Sequence, residues 1–114
     1  MAAPNIVAGT MPAVRGGMDL LTVTLSPAEV AANTSAEQTF TISGLALGDI
    51  VIKVEKPTAQ AGIGIVGSRV SAANTLAVVF MNTTAAAVTP TASESYLILV
   101  HRPYQARTET TFGG

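Results

Sequence analysis

TLAVVFMNTTAAAVTPTASESYLILVH, residues 75–101, holds two apolar runs separated by a linker of turn-forming residues. In 75–81 and 94–101 the aliphatic side chains stand at consecutive positions instead of alternating with polar ones. A strand written this way is covered on both faces, so it belongs in the middle of a sandwich or at a subunit contact. Neither run continues into the other as a membrane span. No charge occurs between Arg69 and Glu94, but Asn74, Asn82, Pro90 and scattered Thr and Ser keep every apolar run below the ~20 residues that a span needs.

Upstream, the period is two. Residues 20–26 (LLTVTLS) set Leu21, Val23 and Leu25 against Thr22 and Thr24, and Pro27 ends that strand. Phe40 and Ile42 alternate with Thr39, Thr41 and Ser43 in the next one, and Gly44 and Gly48 frame a turn before Asp49. Residues 49–56 (DIVIKVEK) form a strand with Ile50, Ile52 and Val54 expected inward and Val51, Lys53 and Glu55 outward, stopped by Pro57. Residues 62–70 are read as a further strand whose Gly62, Gly64 and Gly67 suggest a bulge or a close backbone approach. Six strand candidates without a helical period indicate an all-β protein, a single antiparallel β-sandwich of jelly-roll or Ig-like type.

The tetrapeptide Ala-Ala-Asn-Thr occurs twice, at 31–34 and 72–75. Asn tolerates the left-handed conformation of a tight turn and Thr opens a strand well, so the repeat reads as a reusable lead-in to a strand. Duplication of half a domain is the sharper alternative.

With 114 residues the chain fits one domain, divided here into an extended N-terminal arm (1–19), a β-sandwich domain (20–101) and a C-terminal tail (102–114). The arm is punctuated by Pro4, Gly9, Pro12, Gly16 and Gly17, and either lies on a neighbour or is a disordered terminus. It has no positive region ahead of an apolar block, so no secretory signal is expected. In the tail, Tyr104 and Phe112 are apolar anchors among Arg102, Arg107 and Glu109, suited to docking on a partner chain or to a short terminal strand.

Only 11% of residues are charged, against about 25% in ordinary soluble domains, while 48% are hydrophobic. A surface of this kind points to apolar contact with other chains. Six Lys plus Arg, a net charge of -1 and no Trp argue against nucleic acid. The absence of Cys removes disulfides and thiolate ligands.

Chemistry finds little material. His101 is the one histidine, so an ordinary zinc site is not expected, and no G-x-S-x-G elbow accompanies it and Asp19 or Asp49 for a catalytic triad. The acidic residues are spread singly. Gly62, Gly64 and Gly67 match G-x-G-x-x-G, yet the chain runs on into another strand, whereas that motif works by opening a helix. Asn33 and Asn82 satisfy the glycosylation pattern but are read as solvated turn residues. No catalytic, cofactor-binding or metal-binding residue is assigned, no cofactor is expected, and the protein is read as not an enzyme.

Four pieces taken together resemble a group of small tailed-phage virion proteins: the Val-Ala-Ala-Asn-Thr turn, the Gly-Leu-x-x-Gly-Asp turn (Gly44, Leu45, Gly48, Asp49), the pair Lys56-Pro57, and Ser-Ala-Ala-Asn-Thr-Leu at 71–76. The similarity spans about residues 23–102. It implies a β-rich particle component, a capsid decoration or head-fibre-like protein, with no active-site motif to carry over. The expectation is a capsid decoration (cement) protein that binds the outer capsid surface of a bacteriophage as a homotrimer and stabilises the head. It would be made in the bacterial host cytoplasm, with itself and the phage major capsid protein as partners and no nucleic acid or membrane. In that setting the glycines of 62–67 would let chains approach closely at an axis. A fibre, neck or tail adaptor is the alternative, although with Tyr96 in an apolar strand only Tyr104 offers an aromatic for glycan contact. An Ig-like module of a bacterial surface protein is the second alternative.

Overall fold

A computed structural model describes residues 17–103. They form β1 (Met18–Leu25), β2 (Thr34–Thr41), β3 (Ile50–Glu55), β4 (Ile63–Ala72), β5 (Thr75–Asn82) and β6 (Glu94–His101). No helix occurs among the described residues. The strands make two three-stranded antiparallel sheets, ordered β1-β6-β3 and β2-β5-β4. The two runs that are apolar on both faces, β5 and β6, are the central strands.

One core joins the sheets. Leu76, Val78 and Phe80 of β5 cluster with Tyr96, Ile98 and Val100 of β6, and Leu25, Val30, Ile42, Leu45 and Val70 close the cluster. Burying a side chain of this size stabilises by about 1.5–3 kcal/mol, so these two strands dominate the energetics. Leu21, Val23 and Phe40 pack against the cluster from the edges, as their alternation predicts.

β2 begins at Thr34, well ahead of the alternation that becomes visible at Thr39. Thr34, Ser35, Ala36 and Glu37 are exposed, so neither face of this edge segment carries an apolar period. Pairing with β5, from Thr34 opposite Asn82 to Thr41 opposite Thr75, holds it instead.

Both Ala-Ala-Asn-Thr segments form the expected turn. Asn33 and Asn74 are left-handed, with φ of 51° and 58°, and Thr34 and Thr75 are the first residues of β2 and β5. In each, the Thr hydroxyl donates back to the carbonyl two residues earlier, Thr34 Oγ1 to Ala32 O at 2.9 Å and Thr75 Oγ1 to Ala73 O at 3.1 Å. The settings differ, since Asn74 lies in the tight β4–β5 hairpin and Asn33 ends a connection that crosses between sheets.

β3 departs from its expected faces. Val51 and Val54 pack against the core, while Ile50 and Ile52 are 48% and 51% exposed. Lys53 and Glu55 point outward as anticipated. The cause is a bulge: Val51 faces Val100 and Lys53 faces Leu99, so Ile52 has no partner of its own on β6. The extra residue resets the alternation, and a strict period of two then assigns Ile50 and Ile52 to the wrong side.

β4 is bulged twice, between Ile65 and Gly67 and between Val70 and Ala72, as its glycines suggest. Close approach occurs at Gly62, where φ is +78° and an added Cβ would lie 2.2 Å from Thr84 Cγ2. At Gly64 nothing lies within 4 Å of such an atom, so within the chain that glycine is not required by packing.

Amide side chains fasten several of the connections. Gln38 grips Ala28 at both backbone groups, accepting from its N–H at 2.7 Å and donating to its carbonyl at 2.9 Å. Gln60 accepts from Thr91 N at 2.8 Å and donates to Thr89 O at 3.3 Å. Asn82 is fully buried rather than a solvated turn residue. Its Nδ2 donates to Val30 O at 3.0 Å and Ala86 O at 2.8 Å, and its Oδ1 accepts from Thr84 N at 2.9 Å and Thr84 Oγ1 at 2.8 Å. All four amide bonds are satisfied, which leaves no room for modification of that nitrogen in the folded chain.

Candidate interaction surface

Strand alternation puts Tyr96, Ile98 and Val100 of β6 into the core and Leu97 and Leu99 on the opposite face. Beside them on β1, Leu20 lies opposite Leu99 and Met18 opposite His101. On β3, Ile50 lies opposite His101 and is followed by the bulged Ile52. The outer face of the β1-β6-β3 sheet is therefore apolar across all three strands. Leu20 is 64% exposed and Met18 56% exposed, and Leu97 is also exposed. Thr22 and Thr24 continue the face along β1, and Lys53 and Glu55 flank Leu99 and Leu97 on β3. Individual exposed aliphatics are ordinary on a protein surface; a contiguous group on one sheet face is what marks a contact site.

Away from this face, three ion pairs among the described residues fasten the domain. The Arg102 guanidinium forks onto Asp49, with Nε 2.8 Å from Oδ1 and Nη2 2.7 Å from Oδ2, and Nη2 also donates to Gly44 O at 2.7 Å. The Asp49 carboxylate is almost fully buried and accepts from Ala46 N at 2.9 Å as well. The Arg102 hydrogen bonds hold its pKa below the ordinary aspartate value, against the opposing effect of burial. Gly44 and Gly48, both with φ of +99°, shape the turn that presents these backbone groups. Arg102, the first residue of the expected tail, is thus tied to the domain, and its N–H also donates to Gly17 O at 2.9 Å. Asp19, Ser43, Gly44, Asp49 and Arg102 line a depression of about 150 Å³ beside this pair.

At the far end of β6, Glu94 accepts from the Thr58 hydroxyl and lies 3.0 Å from Lys56 Nζ. The Thr58 hydrogen bond is the main influence holding its pKa below the ordinary glutamate value. Across β2 and β4, the exposed Arg69 makes a bidentate contact with Glu37 at 3.0 and 3.1 Å.

Asp49 is brought to Arg102, not to His101, and the His101 Nδ1 is buried without a hydrogen-bond partner among the described residues. The Tyr96 hydroxyl is likewise buried without one. Burial, with a smaller effect from the Glu94 charge, pushes its pKa up to about 12. Among the described residues no three His, Cys, Asp or Glu side chains are grouped to hold a metal ion. The Gly62–Gly67 segment runs along β4 into the β4–β5 hairpin, so it lacks the helix N-terminus that a pyrophosphate site uses. Tyr104, Arg107, Glu109 and Phe112, and the arm up to Gly16, lie outside the described residues.

The outer face could not be found from β3 alone, because its bulge has no sequence signature beyond the double Ile. Leu20, Leu97 and Leu99 were legible as outward positions once their strands were placed. No family model, curated protein or solved structure matches the chain.

Proposed function

We propose that this chain is a non-enzymatic structural protein of a tailed-phage virion, a capsid decoration protein that binds the outer capsid surface as a homotrimer and stabilises the head. The observation that carries the proposal is the apolar outer face of the β1-β6-β3 sheet on a weakly charged domain. Such a surface suits a protein whose work is to be covered by other chains. The motifs of the phage resemblance are turn-forming positions here, Asn33, Asn74, Gly44 and Gly48, which supports reading it as a likeness of architecture.

Strand order supports the jelly-roll member of the two sandwich types. β1 pairs with β6 and β2 with β5, a nested order that then wraps so that β3 joins β6 and β4 joins β5. Taking two strands out of an eight-strand jelly roll, an architecture of viral capsid domains, would leave the same pairing, which supports that reading. An Ig-like sandwich would instead place its first two strands side by side. Here β1 and β2 lie in different sheets, which disfavours the bacterial surface module.

The test compares phage heads with and without the protein for survival of heat and low salt, with purified protein added back to the deficient heads. Complete and restored heads are expected to survive conditions that open the deficient ones. Equal survival would refute the cementing role, and antibody labelling confined to the tail would move the protein to a fibre or neck position.

A further inference from the structure

We infer that the outer face of the β1-β6-β3 sheet is where copies of this chain meet, the occupant being the same face of a second copy. The inference rests on the self-association in the reading above and names its surface, but changes its count: a face that meets its own copy through reciprocal pairs is a two-fold contact that closes at two chains, not three.

Three observations converge on that face. Met18, Leu20, Ile50, Ile52, Leu97 and Leu99 bring apolar surface together from all three strands. A contiguous exposed apolar group drawn from three adjacent strands is the kind of patch that marks a contact site. Second, the β3 bulge turns Ile52 outward and breaks the regular ladder of an edge strand, which discourages a partner from adding to that edge and leaves the flat face as the place of contact.

Third, the face carries its own charge complement. Lys53 and Glu55 project from it two positions apart, and neither is ion-paired among the described residues, where Arg102, Lys56 and Arg69 take up Asp49, Glu94 and Glu37. One cation and one anion on the same apolar face make it self-complementary: a second copy can set its Glu55 against Lys53 and its Lys53 against Glu55. A basic or acidic partner would leave one of the two charges opposed by a like charge.

The experiment measures native mass by size exclusion with light scattering across concentration for the full chain and for Leu20→Lys, Lys53→Glu and Glu55→Lys. All three positions are exposed, and circular dichroism checks that each variant is folded. The unchanged protein is expected to be a dimer, and each variant alone to dissociate at a concentration tenfold or more higher. Mixing K53E with E55K is expected to restore association, because the two faces then carry opposite charge; the double variant K53E/E55K is expected to associate as the unchanged protein does.

A monomer at every concentration would overturn the inference, as would unaltered association of all three variants or failure of the mixed pair to recover. Particle binding of the same variants separates this result from the decoration reading. A monomer that binds heads through this face, losing binding in Leu20→Lys, would assign the face to the capsid and overturn self-association alone. An oligomer that binds no head would leave the face as inferred and remove the decoration role.

Discussion

Arg102 clamps Asp49 through two hydrogen bonds of 2.8 and 2.7 Å, across 53 positions of sequence, and in doing so sets the register of β3 on β6. Asp49 is turned inward to reach the guanidinium, so Ile50, directly after it, must point outward opposite His101, and Val51 inward opposite Val100. A buried carboxylate with a fixed partner outranks the aliphatic pattern, because leaving that charge unpaired would cost more than exposing an isoleucine. The apolar outer face is thus partly a product of the clamp.

Asp49→Ala should lower stability by about 2 kcal/mol, since hydrogen bonds to a charged group contribute about 1.5–3 kcal/mol and Arg102 is only half covered. Arg102→Lys should recover part of this at most, because an ammonium cannot reproduce the two-point fork. Urea denaturation of the three proteins checks the order; equal midpoints would show the clamp to be dispensable.

Acid should weaken the fold through the same carboxylates. Asp49, Glu94 and Glu37 are held below their ordinary values, so the folded chain binds these protons less readily than the unfolded one. Their contribution is complete above the unfolded carboxylate range and is lost as pH falls below about 4 through the folded values. Melting temperature from pH 7 to pH 2 should show that decline, less steeply in Asp49→Asn; a decline already present between pH 7 and 5 would indicate another group.

Asn82→Ala removes four hydrogen bonds from a fully buried site that joins the 83–93 and 26–33 connections. A loss of about 3 kcal/mol is expected, dominated by the backbone groups left without partners. Hydrogen exchange should report faster opening at Thr84, and a variant as stable as the parent would contradict the proposed fastening.

Tyr96→Phe should be neutral or stabilising by up to about 1 kcal/mol, because the hydroxyl is buried without a partner and its removal relieves a desolvation cost. In the unchanged protein this phenol should ionise near pH 12, measured by ultraviolet absorbance. A clear loss of stability in the variant would mean that the hydroxyl is hydrogen-bonded in solution.

Gly62→Ala and Gly64→Ala separate two glycines of one segment. The first places a methyl group against Thr84 in a left-handed backbone and should destabilise by more than about 1 kcal/mol; the second meets open space and should change stability little. Thermal melts of both check the contrast. Unchanged association in Gly64→Val would also remove any role for Gly64 at a contact between chains.

Much of the architecture was written locally. The apolar runs of β5 and β6 announced central strands, Leu21, Val23 and Leu25 announced the inner face of β1, and each Ala-Ala-Asn-Thr announced a left-handed turn opening a strand. These follow from side-chain period and backbone preference, which neighbours in sequence determine by themselves. Tertiary structure decided the rest. The polar start of β2 is a strand only because β5 lies beside it, and Asn82 is buried only because two distant connections converge on its amide. Ile50 faces outward because Asp49 before it turns in to meet Arg102, and Ile52 because the bulge leaves it without a partner on β6. Pairings between residues far apart in sequence leave no periodic trace, and it is these pairings that turned one sheet face into an apolar surface.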